Sequence, residues 1–272
     1  MQTITDPAEL QAQMRDLRAR GQRIGFVPTM GFLHAGHRSL MGIARPQCDH
    51  LVVSIYVNPL QFGPNEDLDT YPRDRAGDTA ACQAEGVDTI FMPQDLYEGD
   101  HRTTVSVAAL TDGLCGADRP GHFDGVTTVV ARLFGLVQPT VAVFGEKDYQ
   151  QLAVIRRMVR DLAMGVQIVG GPLVRDSDGL ALSSRNAYLS ATDRQRGLTL
   201  HQALFAMAAS QATSAKERIA LGQSLLQVDA LDYLAIVDAD SLAPLDDIDR
   251  PARALVAARI GGTRLIDNIA LD

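Results

Sequence analysis

The sequence predicts an α/β protein in which an open parallel sheet is followed by a smaller α+β domain. Three apolar runs rich in Val, Ile and Phe have the length and composition of buried parallel strands, at 23–27, 51–57 and 140–144. Helical stretches separate these runs, as the crossovers between parallel strands require. After the paired glycines at 170–171 the pattern changes to two helices and a hairpin. We therefore expect one domain over residues 1–175 and a second over residues 176–272.

The individual elements follow from capping residues, apolar periodicity and turn residues. Asp6 and Pro7 mark the start of a first helix. Pro28 is expected to end the first strand, because proline has no N–H to donate to a sheet ladder. Further helices are predicted at 39–44, 74–84, 124–137, 149–164, 192–213 and 216–227, and further strands at 89–92, 103–107, 166–169, 231–237 and 254–260. The pair Gly261-Gly262 lies between two apolar runs and predicts a hairpin.

The composition is that of an ordinary globular chain in a reducing compartment. Of the 272 residues, 46% are hydrophobic and 21% are charged, and the net charge of −8 disfavours a basic nucleic-acid footprint. No apolar run reaches the ~18 residues that a membrane helix requires, and residues 1–20 are polar rather than signal-like. The three cysteines show neither metal spacing nor a disulfide framework. These features predict a cytoplasmic protein without nucleic-acid or membrane partners.

Two histidines follow the first predicted strand. His34 and His37 flank Gly36 in a loop that leads into an apolar helix. The N-terminus of such a helix directs free N–H groups and the positive end of its dipole at the loop, so these groups and the two imidazoles suit a polyphosphate. Ligands of open α/β sheets bind at this edge. Because His-x-Gly-His is a short pattern, a plain turn with two surface histidines is the alternative.

Polar side chains after two later strands extend the same edge. Asn58 and Gln61 follow the second strand, where neutral amides suit the hydroxyls or carboxylate of a small substrate. Lys147 and Asp148 follow the strand at 140–144 and offer a cation for phosphate and a carboxylate for sugar hydroxyls. The alternatives are ordinary loop polarity for the amides and a solvated ion pair at a helix start for Lys147 and Asp148.

A third polar group lies where the two predicted domains join. Ser183, Ser184 and Arg185 place two hydroxyls and a guanidinium in a row, a set that would hold a leaving diphosphate. An interdomain linker with ordinary loop residues is the alternative.

Five longer strings carry a specific resemblance, in one order along nearly the whole chain, at 28–37, 58–63, 119–126, 145–151 and 178–186. Together they resemble the pantothenate synthetase (pantoate–β-alanine ligase) family of the HIGH-type adenylyl-transferring superfamily, in which the 183–185 group corresponds to the Lys-Met-Ser-Lys-Ser signature. Three positions depart from the family: Phe32 stands where a small residue is common, Ala35 where Glu is common, and Leu182 where Met is frequent. None of them removes a group that the mechanism requires.

The resemblance implies a Rossmann-like amino-terminal domain, a smaller carboxyl-terminal lid domain and a homodimer. It implies ATP with Mg²⁺, without assigning metal ligands. The residues that it places against ATP are Met30, Gly31, Phe32, Leu33, His34, Ala35, Gly36, His37, Gly145, Glu146, Lys147, Asp148, Val174, Leu182, Ser183, Ser184 and Arg185. It places pantoate on Gln61 and Gln151, with β-alanine near Gln61 and Asn58 as a further contact.

The activity implied by the resemblance is an ATP-dependent ligation of pantoate with β-alanine through pantoyl adenylate. The catalytic set would be His37 as proton donor, with His34, Lys147, Ser183, Ser184 and Arg185. Three alternatives remain: a nucleotidyltransferase of the same superfamily, a non-catalytic nucleotide sensor, and a tRNA-charging fragment. The amides of Gln61 and Gln151, in place of a second basic cluster, disfavour the nucleotidyltransferase. The 183–185 group and the second domain disfavour the sensor, and the acidic net charge disfavours the tRNA-charging fragment.

Overall fold

The computed structural model describes residues 1–64, 66–97 and 99–271 and contains two sheets of different kinds. The strands of the larger sheet are β1 (Gln2–Ile4), β2 (Ile24–Thr29), β3 (His50–Ile55), β4 (Thr89–Phe91), β5 (Val141–Gly145) and β6 (Gln167–Gly171). They are all parallel, in the order β1-β4-β3-β2-β5-β6. The strand order reverses between β2 and β5, and such a switch point is where open α/β sheets bind ligands. The predicted Rossmann-like parallel sheet is therefore confirmed.

Helices cover both faces of this sheet. They are α1 (Pro7–Ala19), α2 (Ala35–Ala44), α3 (Arg75–Ala84), the short α4 (Cys115–Asp118), α5 (His122–Val137) and α6 (Tyr149–Asp161). One core lies between the sheet and α1, α5 and α6, and a second core lies between the sheet and α2 and α3. Phe26 and Val52 belong to the first core, whereas Val27 and Val53 belong to the second. Successive strand residues thus point to opposite faces, as strand geometry requires.

The smaller sheet is antiparallel and comes from the last third of the chain. It consists of β7 (Ala230–Asp238), β8 (Ala252–Ile260) and β9 (Thr263–Leu271), with α7 (Ala191–Ala209) and α8 (Ala215–Leu225) packed beside it. Gly261 and Gly262 have φ values of 56° and 79° and form the predicted hairpin between β8 and β9. The predicted smaller α+β unit is confirmed. Across the described residues, no helix is both long enough and apolar enough to span a membrane.

The structure corrects two expectations about strands. β2 continues through Pro28 to Thr29, so Pro28 does not end it. The pairing of β2 with β5 covers only Gly25 and Phe26, and the missing N–H of Pro28 lies beyond that ladder. Residues 103–107 form no strand, although all of them are described. The N–H of Val105 instead donates to Thr128 Oγ1 on α5 at 3.0 Å, so a helix side chain takes the place of a neighbouring strand.

Two further differences are local. The three-residue β1, which pairs with β4, is too short to show alternation and was not predicted from the sequence. α5 begins at His122 after Gly121, rather than at a cap formed by Asp124. Asp124 lies in the first turn of α5 and accepts a hydrogen bond from Ser106 Oγ at 2.7 Å.

Candidate active site

The carboxyl ends of β3, β2 and β5 are adjacent, so the loops that follow these strands meet at one edge of the sheet. A cavity of about 230 Å³ opens there. The predicted site residues that line it are Met30, His34, Gly36, His37, Asn58, Gln61, Gly145, Lys147, Asp148, Gln151, Val174, Leu182, Ser183, Ser184 and Arg185. The fold therefore brings together groups that are up to about 150 residues apart in sequence, which is the arrangement that a polyphosphate and a small acid would share.

The two histidines cap the helix that follows them. His34 is the N-cap of α2, and its Nδ1 accepts from the N–H of Gly36 at 3.1 Å. His37 lies in the first turn, and its Nδ1 accepts from the N–H of His34 at 3.3 Å. A Cβ on Gly36 would lie 2.9 Å from the His34 ring, so only glycine lets the ring fold back. Because of this double cap, α2 begins at Ala35 and not at residue 39, as the sequence had suggested.

Both imidazoles are neutral, and their tautomers are fixed. Burial, followed by the Lys147 cation, lowers the pKa of His34 to about 4. Burial, followed by the charges of His34 and Lys147, lowers the pKa of His37 to about 3. Since each Nδ1 is an acceptor, the single ring proton lies on Nε2. Each ring therefore offers an uncharged N–H donor at neutral pH.

Gln61 is oriented by a chain of side-chain hydrogen bonds. Tyr97 Oη donates to Asn58 Oδ1 at 2.9 Å, and Asn58 Nδ2 donates to Gln61 Oε1 at 3.0 Å. The carbonyl oxygen of the Gln61 amide is thus occupied, and its Nε2 lies 3.4 Å from Met30 Sδ, on the cavity wall. Asn58 is only 1% exposed, and its amide bonds are internal, so the geometry favours Asn58 as the support of Gln61. A direct contact of Asn58 with substrate stays a prediction.

The backbone of Gln61 is held independently of its side chain. His122 Nδ1 binds the Gln61 carbonyl oxygen at 2.8 Å, and Arg119 Nη1 lies 2.9 Å from His122 Nε2. Glu66 completes the group through two contacts of 2.6 Å with the Arg119 guanidinium. Burial, followed by the Arg119 charge, lowers the pKa of His122 to about 4. This group fixes the loop that carries Gln61.

Lys147 enters the cavity from a single 3₁₀ turn between β5 and α6. The turn comprises Glu146, Lys147 and Asp148, and it directs Lys147 and Asp148 into the cavity. Their side chains are 3.9 Å apart and 20% and 47% exposed. This pair is loose and partly hydrated, so the ammonium is available to an anion. Glu146 carries an ion pair with Arg253 at 3.5 Å, on the side of the second sheet.

The 183–185 group forms another wall of this cavity, and two of its side chains already have internal hydrogen-bond partners. Ser184 Oγ donates to the carbonyl of Phe32 at 3.3 Å, which ties this wall to the histidine loop. Arg185 binds both carboxylate oxygens of Asp67, at 2.9 and 2.7 Å, and its guanidinium lies 5.6 Å from the centre of the Tyr71 ring. A phosphate ligand of Arg185 would therefore compete with Asp67.

Sequence reasoning missed Asp78, which holds the loop ahead of the histidines. Its carboxylate accepts from the N–H groups of Phe32 and Leu33, at 3.0 and 2.7 Å. Phe32 has a φ of 52°, a strained value that these bonds stabilise. A Cβ on Gly31 would lie 2.9 Å from Asp78 Oδ2, which explains glycine there. Asp78 is one acidic residue in the first turn of α3, and no local pattern distinguishes it from an ordinary helix-start residue.

A second cavity of about 680 Å³ adjoins the first. The two share Lys147, Gln151 and Arg185. Its far wall comes from the smaller sheet and includes Arg264 and Asn268. A small ligand would thus find space there beside a ligand bound in the first cavity.

Comparisons with known proteins agree on one family. A sequence model of the pantoate–β-alanine ligase family matches residues 2–270. Pantothenate synthetase of Sphingopyxis alaskensis is 52% identical over 276 residues, with 99% of each chain covered. A crystal structure of pantothenate synthetase from Thermus thermophilus superposes with a TM-score of 0.93 at 50% identity, covering 99% of each chain. The pantoate–β-alanine ligase of Francisella tularensis, solved in complex with β-γ ATP and β-alanine, superposes with a TM-score of 0.82 at 34% identity, covering 99% of this chain and 97% of that one.

Proposed function

The chain belongs to the pantoate–β-alanine ligase family, and on that premise we propose that it condenses (R)-pantoate with β-alanine to pantothenate through a pantoyl adenylate, releasing AMP and pyrophosphate. One observation carries the proposal. Phosphate-binding donors, two neutral amides and an adjoining chamber lie around a single edge of the sheet. ATP, the acid and the amine would each have a place to bind: ATP at the phosphate-binding donors, the acid at the two neutral amides, and the amine in the adjoining chamber.

In the first step the pantoate carboxylate attacks the α-phosphorus of ATP, and the bond to the bridging oxygen of pyrophosphate breaks. A carboxylate is already nucleophilic at neutral pH, so no general base is needed. Negative charge builds on the phosphate oxygens, and positioned donors stabilise it. His34 and His37 would donate from Nε2 as neutral imidazoles, while Lys147 would contribute the cation. This makes His37 a hydrogen-bond donor rather than an acid.

The Ser183, Ser184 and Arg185 wall would hold the leaving pyrophosphate. Arg185 would exchange Asp67 for phosphate oxygens in doing so. ATP would enter as its Mg²⁺ complex, with the ion on the phosphates, where it neutralises charge. Among the described residues, no group of three or more His, Cys, Asp or Glu could hold a metal ion by itself.

Pantoate would lie between Gln61 and Gln151. Because Asn58 occupies Gln61 Oε1, the Gln61 NH₂ group would donate to an oxygen of pantoate. In the second step the neutral amine of β-alanine attacks the acyl carbon, the bond from that carbon to the AMP oxygen breaks, and the amine proton passes to the departing AMP phosphate or to water. β-Alanine would bind in the larger of the two cavities, which shares Gln151 with the first, and its amine would approach from there. Closure of the second domain would keep water from the labile acyl adenylate.

We further propose a domain boundary near residue 175, a homodimer and a cytoplasmic location. The boundary is supported by Arg175, which begins a tight turn and pairs with Asp267 of the smaller sheet. The dimer rests on the family resemblance. The location is supported by Cys48, Cys82 and Cys115, which are free thiols.

Exchange of labelled pyrophosphate into ATP tests this function. Enzyme, Mg²⁺, ATP and pantoate should support exchange in the absence of β-alanine, because the adenylate forms without the amine. A nucleotidyltransferase would exchange only with a phosphorylated acceptor or its nucleotide product, and a sensor would not exchange at all. Release of ADP, or silence with pantoate, would refute the adenylate reaction.

A further inference from the structure

Asn268 of the smaller sheet contacts the turn that carries Lys147. It lies on β9 and is only 3% exposed. Its Nδ2 donates to the carbonyl oxygens of Glu146 and Lys147, at 3.0 and 2.9 Å. Both amide hydrogens of Asn268 therefore form hydrogen bonds with the backbone of the 3₁₀ turn. The second domain thus holds, through one side chain, the segment that delivers Lys147 to the nucleotide cavity.

The orientation of the Asn268 amide is fixed by Arg253. Arg253 Nε donates to Asn268 Oδ1 at 2.7 Å. Arginine has no acceptor, so the amide cannot flip without losing all three hydrogen bonds. The Arg253 guanidinium lies 4.3 Å from the centre of the Tyr149 ring, within the range of a cation–π contact. Tyr149 begins α6 directly after the turn, so Arg253 and Asn268 hold the same short segment.

A second contact between the two domains does not involve the Asn268 side chain. The adjacent Asp267, 4% exposed, forms a two-contact ion pair with Arg175 at 2.7 and 2.9 Å. That pair holds the linker, whereas Asn268 holds the Lys147 turn. The two neighbouring side chains thus have separate partners in the first domain. The Asn268 amide bonds the backbone of the turn that carries Lys147, so a small shift of that backbone would move the Lys147 ammonium group.

We propose that Asn268 is a positioning residue for Lys147, so that the carboxyl-terminal sheet sets the place of the cation that acts on the phosphates of ATP. The inference rests on the proposed function. Asn268 lines the larger cavity but would act through the turn and not by contact with ATP. Its loss should therefore impair the pyrophosphate-forming step. The Gln61 side of the pantoate site is held separately, by Tyr97 and Asn58, and should stay in place.

A double-mutant cycle tests the proposal. Asn268→Ala and Asn268→Asp are assayed by pantoate-dependent pyrophosphate exchange, each alone and combined with Lys147→Ala. Asp keeps a partner for Arg253 but cannot donate to the two carbonyls. Each single Asn268 variant should lower kcat/KM for ATP by about 10-fold or more, with KM for pantoate changed by less than about two-fold. In the Lys147→Ala background the same substitution should cost less than about two-fold.

Ile260→Val is the matched control, because Ile260 is fully buried in the core of the same sheet and belongs to neither cavity lining. It should retain wild-type exchange. If Asn268→Ala does not fold, Arg253→Lys replaces it, since it removes the Nε donor and leaves Asn268 in place. Equal losses in both Lys147 backgrounds, or wild-type kcat/KM in the Asn268 variants, would overturn the proposal. Absence of exchange by the wild-type enzyme would instead refute the proposed function.

Discussion

Arg185 binds Asp67 through two nitrogens at 2.9 and 2.7 Å, so the guanidinium proposed to hold pyrophosphate already carries an internal carboxylate. The side chains are 27% and 24% exposed, which leaves the pair open to displacement. Phosphate oxygens and carboxylate oxygens compete for one guanidinium face. If Arg185 holds pyrophosphate as proposed, its release from Asp67 must precede or accompany pyrophosphate binding.

Removing the internal carboxylate should strengthen pyrophosphate binding. We expect Asp67→Asn to lower KM for pyrophosphate in the exchange reaction by about three-fold to ten-fold, since a neutral amide competes less well for Arg185. Arg185→Ala should depress exchange and net synthesis together. Asp69→Asn, with an exposed side chain in the same segment, is the control and should change neither. An unchanged KM in Asp67→Asn would show that Asp67 does not compete.

Lys147→Ala and His37→Ala should each reduce the rate of exchange by ~10²–10³-fold, because both remove a donor from the developing phosphate charge. Circular dichroism should show intact folds for both variants. Lys216→Ala, which removes an exposed lysine on α8, is the control for the loss of positive charge. Near-normal exchange in either site variant would remove that residue from the catalytic set.

Gln61→Ala should raise KM for pantoate far more than KM for ATP, because the Gln61 amide is assigned to the acid. Tyr97→Phe should cause a smaller change of the same kind, since it removes only the hydroxyl that supports Asn58. Gln22→Ala, an exposed glutamine distant from the cavity lining, serves as the control. An effect confined to ATP would mean that the acid site has been assigned to the wrong side of the cavity.

The pH dependence of exchange distinguishes two roles for His37. Its pKa of about 3 keeps the imidazole neutral throughout the assay range. As a neutral donor it should give a kcat/KM for ATP that changes less than about two-fold between pH 7 and 8.5. An imidazolium acting as an acid with an ordinary pKa would instead lose about ten-fold in rate per pH unit above its pKa. A tenfold decline per unit, absent in His37→Asn, would favour the acid role.

Three half-buried histidines should also make the fold sensitive to mild acid. His34, His37 and His122 have pKa values lowered to about 4, 3 and 4. Below their unfolded pKa of about 6.5 the unfolded chain binds protons that the folded chain does not. The free energy of unfolding should then fall as pH drops from about 6.5 towards 4, by up to ~1.4 kcal/mol per pH unit for each histidine. Asp78, whose pKa burial raises, opposes this trend.

Urea unfolding at several pH values between 7 and 4.5 measures this slope. His122→Gln should make it shallower, because one proton fewer is taken up on unfolding. This comparison depends on slopes, so a constant loss of stability in the variant does not affect it. A slope unchanged by His122→Gln would mean that His122 is not kept neutral by the fold.

Sequence alone determined the α/β class, the hairpin at Gly261-Gly262 and the residue types around the nucleotide cavity. Apolar runs, capping residues and glycine pairs are local signals, and a parallel sheet brings the ends of its strands to one edge whatever the details. For that reason His34, Gln61 and Lys147 could be expected together before their distances were known.

Tertiary structure alone decided the states and partners of these residues. The neutral Nε2–H form of His37 follows from burial and from the N–H of His34, neither of which a sequence shows. The bond between Asn268 and the Lys147 turn joins positions 121 residues apart, one on β9 and the other in the turn that follows β5. Such a contact depends on how separate elements pack, because hydrogen bonds and desolvation act through distance in space and not along the chain.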